Sequence, residues 1–186
     1  MNFSKFKMNE IKILDKTFVP FIAEEEIKHA IKRMANTLYE EYKDETPVFV
    51  GVLSGVIIFF SEFLKNYKGR CEIAFLQLSS YKGTESTGEI STKLNITGDL
   101  TGRHVVILED IIDTGNTLEA LYKMLETKPA KSIKVATLFF KPDVFKKDLN
   151  IDLIGMNIPN KFVVGYGLDY DGLGRNYPDL YQLKEN

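Results

Sequence analysis

The chain has 186 residues, 44% of them hydrophobic and 27% charged, with a formal net charge of −2. That length supports one domain with a sizeable core, and the near-neutral balance argues against nonspecific binding to nucleic acid or an anionic membrane. A single cysteine, Cys71, rules out an internal disulfide or a cysteine-built metal site and fits a reducing, cytoplasmic setting.

The N-terminal stretch MNFSKFKMNEIKILDK has no long apolar run, so no signal peptide is expected. No apolar run anywhere reaches the roughly 18 residues of a membrane span. Residues 23–43 carry Ile27, Ala30, Ile31, Met34, Ala35 and Leu38 at helical spacing, with Glu24, Glu25 and Glu26 at the positive end of the dipole. Pro47 opens VFVGVL, a short buried strand, and VIIFFSEFLKNY after Leu53-Ser54-Gly55 reads as a helix. CEIAFLQLSS is a strand. YKGTESTGEISTKLN is a long polar loop with room for a β-hairpin, and loops of that length are commonly lids or binding loops. Then come HVVILED (strand), NTLEALYKMLE (helix) and SIKVATLFF (strand, ended by Lys141-Pro142). DLIGMNIP and KFVVGYGLDY look extended, and YPDLYQL offers a last strand. Strands alternating with helices predict a parallel sheet, with the Gly-, Asn- and Asp-punctuated tail as a small cap. No repeat, low-complexity segment or interdomain linker interrupts the chain. His29 is expected on the first helix surface, and His104 and Cys71 near strand starts; none of the three suggests catalysis.

The unusual stretch is VVILEDIIDTGNT, Val105 to Thr117. Buried strands do not ordinarily run into paired acids. In an open α/β sheet, ligands bind beyond the carboxyl ends of the strands, which is where Leu53-Ser54-Gly55, Glu109 to Thr117 and Lys141 fall. Asp113 to Thr117 has the composition of an anion nest. Two hydroxyls, a glycine and a following helix N-terminus suit one phosphate. Carboxylates beside a phosphate make sense if Glu109 and Asp110 point at hydroxyls or Mg²⁺, and a ribose 5-phosphate supplies both phosphate and hydroxyls. The plain alternative is that Glu109, Asp110 and Asp113 are solvated loop acids or helix caps. No Walker loop and no GxGxxG are present.

VVILEDIIDTGNT resembles the phosphoribosyl pyrophosphate (PRPP) motif of type I phosphoribosyltransferases, and EDIIDTG resembles the version in their 6-oxopurine branch. GVLSGVIIFFSEFL resembles that family's pyrophosphate loop, LSSYKGTESTGEI its mobile loop with Ser80-Tyr81, and KFVVGYGLDYDGLGRNYPDLYQL its purine-binding hood. The resemblance implies one domain with a mostly parallel central sheet flanked by helices, its core spanning about 22–145 and its hood about 1–21 and 146–186. It implies a soluble purine-salvage enzyme, a dimer or tetramer. This enzyme would join hypoxanthine, and guanine with it, to PRPP with Mg²⁺, releasing pyrophosphate. Asp113 would be the general base at purine N7. Leu53, Ser54, Gly55, Glu109, Asp110, Thr114, Gly115, Asn116, Thr117 and Arg175 would bind PRPP. Lys141, Phe162, Val163 and Asp169 would bind the purine, and Asp169, with Glu109 and Asp110, the metal.

The pyrophosphate loop departs from the family's frequent Leu-Lys-Gly-Gly: here it is Leu53-Ser54-Gly55-Val56. The family's Leu–Lys peptide is commonly cis, and the sequence leaves the isomer of Leu53–Ser54 open. Asn116 stands where lysine is frequent. Some proteins of this fold keep the PRPP motif but sense PRPP and bind nucleic acid. They would show a basic face or an added domain, and this chain instead keeps Lys141, Phe162, Asp169 and Arg175.

Overall fold

The computed structural model describes residues 9–80, 90–92, 100–125 and 129–185. In chain order these form β1 (Ile11–Ile13), β2 (Lys16–Ile22), α1 (Glu24–Tyr42), β3 (Val48–Leu53), α2 (Ile57–Asn66), β4 (Glu72–Ser80), β5 (Ile90–Thr92), β6 (His104–Ile112), α3 (Asn116–Leu125), β7 (Ser132–Phe140), β8 (Leu153–Asn157), β9 (Val163–Val164) and β10 (Leu180–Leu183). The main sheet has the order β5-β4-β3-β6-β7-β8, in which β4, β3, β6, β7 and β8 run parallel and β5 antiparallel. A second, antiparallel sheet, β1-β2-β10-β9, forms the hood.

Alternation along the main strands divides the core into two layers. Phe49, Val106, Leu108, Ala136 and Leu138 face α1 and α2. Val50, Val105, Ile107 and Val135 face Leu118, Leu121 and Leu125 of α3. All six apolar positions of the first helix's stripe are buried, so the 3.6-residue period and the packing agree. No helix among the described residues is long and apolar enough to cross a membrane.

Two expectations are corrected. First, β8 belongs to the main sheet and not to the hood, because Leu153 to Asn157 pair with Ala136 to Phe140 of β7. The boundary at 145 therefore falls too early. Second, KFVVGYGLDY is not one extended run. Gly165, Tyr166 and Gly167 take φ of 98°, 48° and 101°, so the strand stops after Val164 and the chain coils. The N-terminal segment contributes the other half of the second sheet. It forms two strands, with Pro20 admitted in β2 at an irregularity where the register shifts opposite Leu180/Tyr181. The antiparallel β4–β5 pair supplies the hairpin strands expected around the polar loop. Tyr81, most of the loop expected to be mobile, and the side chain of Ser80 lie outside the described residues.

Gly155 shows how closely α1 lies against β8. A Cβ there would meet the Leu138 carbonyl oxygen at 2.7 Å and Met34 Sδ at 2.8 Å. The Arg33 guanidinium also donates to Gly155 O at 3.2 Å. A backbone oxygen in a sheet cannot step aside, so Gly155→Ala should cost about 1–3 kcal/mol. That corresponds to roughly 2–4 °C in Tm per kcal/mol for a chain of this size. Thermal melts check it; an unchanged Tm would show that the helix slides freely on the sheet.

Candidate active site

The site begins where two neighbouring strands part. β3 and β6 pair in register from Val48↔Val105 to Gly51↔Leu108 and no further. β3 continues against β4 to Leu53↔Gln77, and β6 continues against β7 to Ile112↔Phe140. The connections from β3 leave toward β4 on one side, while β6 lies on the other, so this is the topological switch point of the sheet. Glu109 and Asp110 are therefore still in the strand, beyond its pairing with β3, and do not simply follow it as a loop.

A cavity of about 350 Å³ fills the gap. Of the residues singled out in the sequence, Leu53, Ser54, Gly55, Glu109, Asp110, Asp113, Thr117, Asp169 and Arg175 line it. Thr114, Gly115 and Asn116 lie on the turn into α3, and Lys141, Phe162 and Val163 lie away from this lining. Val52, which was not anticipated, lines the cavity as well, as does Ile111, which lies in the Glu109–Thr117 stretch but was given no role. Ile111 could have been found from its place between the acids of EDIID.

Packing fixes these groups closely. A Cβ on Gly55 would come within 1.6 Å of Asp110 Oδ2, so glycine is required for the loop to lie over that carboxyl. The Leu53–Ser54 peptide is cis. Gly167, at φ 101°, brings the hood down onto the same loop, and a Cβ there would meet Gly55 O at 2.0 Å. Gly167 also exchanges hydrogen bonds with Arg175: its N–H donates to Arg175 O at 3.0 Å and its carbonyl accepts from Arg175 Nη1 at 2.8 Å. Arg175 Nη2 in turn pairs with Asp169 Oδ1 at 2.7 Å, and Gly172 N–H donates to Asp169 Oδ2 at 2.7 Å. No sequence signal beyond the glycine itself marked Gly167.

The carboxyls are electrostatically costly. Glu109 is buried, and its Oε1 has no hydrogen-bond partner among the described residues. Burial first, and the neighbouring Asp110 second, push the Glu109 carboxyl well above the usual range. Burial also pushes Asp110 up to about 6, against the pull of hydrogen bonds from the Ile111 and Asp110 backbone and of Arg175. Among the described residues that line the cavity, four are carboxylic acids and one, Arg175, is a cation. That donor set, all oxygen and short of positive charge, suits sugar hydroxyls and a hard, hydrated divalent cation. Among the described residues there is no group of three or more His, Cys, Asp or Glu arranged to hold a metal by itself.

Beside the cavity, Gly115 turns the chain into α3 at φ 82°, and its carbonyl accepts from Glu119 N at 2.9 Å. The first N–H groups of a helix have no intrahelical partner and attract anions. Thr114 N–H donates to Asp113 Oδ1, which orients that carboxylate. Lys141 is buried, and its amide donates to Ile112 O at 3.0 Å. Burial lowers the pKa of its ammonium, with Asp113 pulling it back up. In the hood, Val163 is buried and paired with Gln182, while Phe162 is 45% exposed.

A model of the phosphoribosyl transferase domain family matches residues 22–171. The chain is 42% identical over 165 residues to a hypoxanthine-guanine phosphoribosyltransferase of Streptococcus pneumoniae, covering 88% of this chain and 92% of that one. It is 39% identical over 164 residues to that of Staphylococcus epidermidis, with the same coverage. Among solved structures, a hypoxanthine phosphoribosyltransferase from Staphylococcus aureus superposes with a TM-score of 0.83 at 36% identity, covering 89% of this chain and 91% of that one. A hypoxanthine-guanine phosphoribosyltransferase from Bacillus anthracis does so at 0.82 and 33%, covering 88% and 97%.

The raised carboxyls carry a pH signature. Asp110 binds its proton more tightly in the folded state than at the ordinary value of 3.8, so the native state takes up protons between about 3.8 and about 6. Stability is thus fully retained below that window and lost as pH rises through it. Asp110→Asn should raise stability by about 1–3 kcal/mol at about pH 7.5, and the gain should vanish below about pH 4. Urea titrations of both proteins across pH check it; a gain independent of pH would show that Asp110 is not held against its charge.

Proposed function

The chain belongs to the phosphoribosyl transferase family, and from that premise we propose that it salvages 6-oxopurines, joining hypoxanthine, and guanine with it, to PRPP. The products are a nucleoside 5′-monophosphate and pyrophosphate. The observation that carries this reading is the convergence of the Leu53–Gly55 loop, the Glu109–Asp110 pair and the Asp169–Arg175 pair on one cavity at the strand divergence.

In this reading the 5′-phosphate sits on the Thr114–Thr117 turn, where backbone N–H groups and the start of α3 meet a dianion without needing a lysine at Asn116. Glu109 and Asp110 accept hydrogen bonds from the ribose hydroxyls. The unpartnered Glu109 Oε1 supports this, since a buried acceptor without a donor costs about 1–3 kcal/mol until one arrives. Arg175, already held by Gly167, clamps pyrophosphate. Asp169, with Glu109 and Asp110, would hold Mg²⁺, which would neutralise charge on the pyrophosphate. The purine stacks on Phe162, with the Val163 carbonyl and Asp169 at its Watson–Crick edge. N9 bonds to C1′ as the C1′–pyrophosphate bond breaks, and the N7 proton passes to Asp113. A carboxylate at that point also stabilises the cationic sugar of the transition state. The lone half-buried cysteine and the near-neutral charge favour a cytoplasmic enzyme over a nucleic-acid-binding sensor. A dimer or tetramer is the assembly we expect.

Pyrophosphate release from the purified chain given PRPP, Mg²⁺ and, in turn, hypoxanthine, guanine, xanthine, adenine and uracil tests the whole reading. Turnover of uracil or adenine in preference to hypoxanthine would overturn it. Asp113→Asn should slow single turnover by about 10²–10⁴-fold while leaving PRPP affinity unchanged; a near-normal rate would remove Asp113 from the chemistry.

Lys141 should choose the base. An ammonium only donates, so it matches the O6 acceptor of a 6-oxopurine and opposes the amino group of adenine. A site built for one polar group can reject an analogue lacking it by about 10⁴-fold or more. Lys141→Gln can both donate and accept, so the ratio of kcat/KM for hypoxanthine over adenine should fall. An unchanged ratio would leave Lys141 a structural lysine.

A further inference from the structure

The N-terminal hairpin precedes the residues that the family model matches, which begin at 22. Its turn nevertheless reaches the hood wall. Ile13 pairs with Lys16, leaving Leu14 and Asp15 as a two-residue connection with Leu14 at φ 51°. Asp15 Oδ1 accepts a hydrogen bond from Tyr170 OH at 2.8 Å. Lys16 Nζ lies 4.4 Å from the centroid of the Tyr170 ring and 5.5 Å from that of Phe162. The two rings meet edge to face, 5.8 Å apart at 88°. Both also contact Phe18, which is fully buried in β2, at 6.2 and 6.1 Å. Phe162 is thus held from the hairpin side by two rings and a cation, yet stays 45% exposed. Tyr170 directly follows Asp169, and its backbone exchanges hydrogen bonds with Leu173 at 2.8 and 3.1 Å, which ties the same turn to Arg175.

We propose that Lys16 and Asp15 are positioning residues for the purine, acting through Tyr170 and Phe162. The inference rests on the reading of Phe162 as the stacking platform for the base. A half-exposed phenylalanine otherwise samples several rotamers, and binding must then bear the cost of ordering it. A cation within about 6 Å of both ring centroids favours the one arrangement in which the Phe162 and Tyr170 rings share it. The Asp15–Tyr170 hydrogen bond fixes the second ring against the hairpin. The platform is thereby ordered before the base arrives, and a segment outside the family match tunes purine affinity without touching PRPP.

Steady-state kinetics on the full chain, with hypoxanthine and PRPP varied separately, test this. Lys16→Met keeps the apolar stem and removes the charge. It should raise KM for hypoxanthine by about threefold to tenfold. Its kcat, KM for PRPP and Tm should stay near wild type. Lys16→Arg should restore the wild-type KM. Tyr170→Phe should give a similar rise, and the double variant Lys16→Met/Tyr170→Phe should show less than the product of the two single effects. Phe162→Ala separates the two levels of the argument. If it leaves KM for hypoxanthine unchanged, the platform reading fails and this inference with it. If Phe162→Ala raises KM but Lys16→Met does not, the inference alone fails. It also fails if Lys16→Met raises both substrates' KM equally, or if Lys16→Arg does not rescue. Should Lys16→Met not fold, Lys16→Gln carries the same expectations.

Discussion

Asp110 Oδ2 lies where the side chain of residue 55 would begin, and that contact sets much of the surrounding architecture. The loop after β3 can cross the half-buried Asp110 carboxyl only if residue 55 lacks a Cβ. The hood can then descend on the loop only if residue 167 also lacks one, because Gly55 O occupies that space. Once Gly167 is in place, its carbonyl holds Arg175, and Arg175 holds Asp169. One half-buried acid thus propagates through two glycines to a guanidinium supplied by the hood. The carboxyls themselves are kept in the fold against their own desolvation, which is the expected pattern where groups are reserved for a ligand and not for stability.

The two sheets divide the work. The main sheet provides rigid strand ends, with Glu109 and Asp110 inside β6 and held by the β7 register, so their carboxyls are placed by strand geometry. The hood provides a coil of left-handed residues, Gly165 to Gly167, that no strand could replace, and from it Asp169 and Arg175 project back to the cavity. Phe18, Val164 and Tyr181 form a small core of their own beneath that coil. The hood is therefore a packed unit and not a flap draped over the sheet, which is why a hairpin turn can fix the orientation of Phe162.

Much of this was legible in the sequence where one face of an element is buried. The stripe from Ile27 to Leu38 was read from periodicity, because burial on one side imposes it, and the run from Val48 to Leu53 from its unbroken apolar character, because a central strand is buried on both faces. EDIIDTGNT stood out because acids inside an apolar strand contradict propensity, and such local contradictions mark sites. The hood was hard to read for opposite reasons. β9 is two residues long and β2 contains a proline tolerated only at its irregularity, while β8, expected in the hood, continues the main parallel sheet after a twelve-residue irregular connection from Lys141. None of these leaves a periodic trace. Gly167, Asp15 and Lys16 were missed because their roles are contacts between distant segments, and composition along the chain does not record those.

The Leu53–Val56 loop shows how a stretch that resembles a motif can change its side chains and still lie over the same carboxyl. Val56 replaces the family's frequent second glycine, but it is fully buried in the core with Phe59, Phe60 and Phe63 at the start of α2. The added side chain therefore fills the core layer and leaves the cavity face of the loop to Gly55. Ser54 replaces the frequent lysine at an exposed position. The charge lost there falls on a cavity whose described lining already holds four acids against Arg175. A pyrophosphate bound at this loop would then depend on backbone N–H groups, on Arg175 and on a divalent cation more heavily than in relatives with lysine. If Mg²⁺ acts there as proposed, pyrophosphate release should depend on it more steeply in this chain than in its Ser54→Lys variant, because each positive charge missing beside the anion raises the share carried by those that remain.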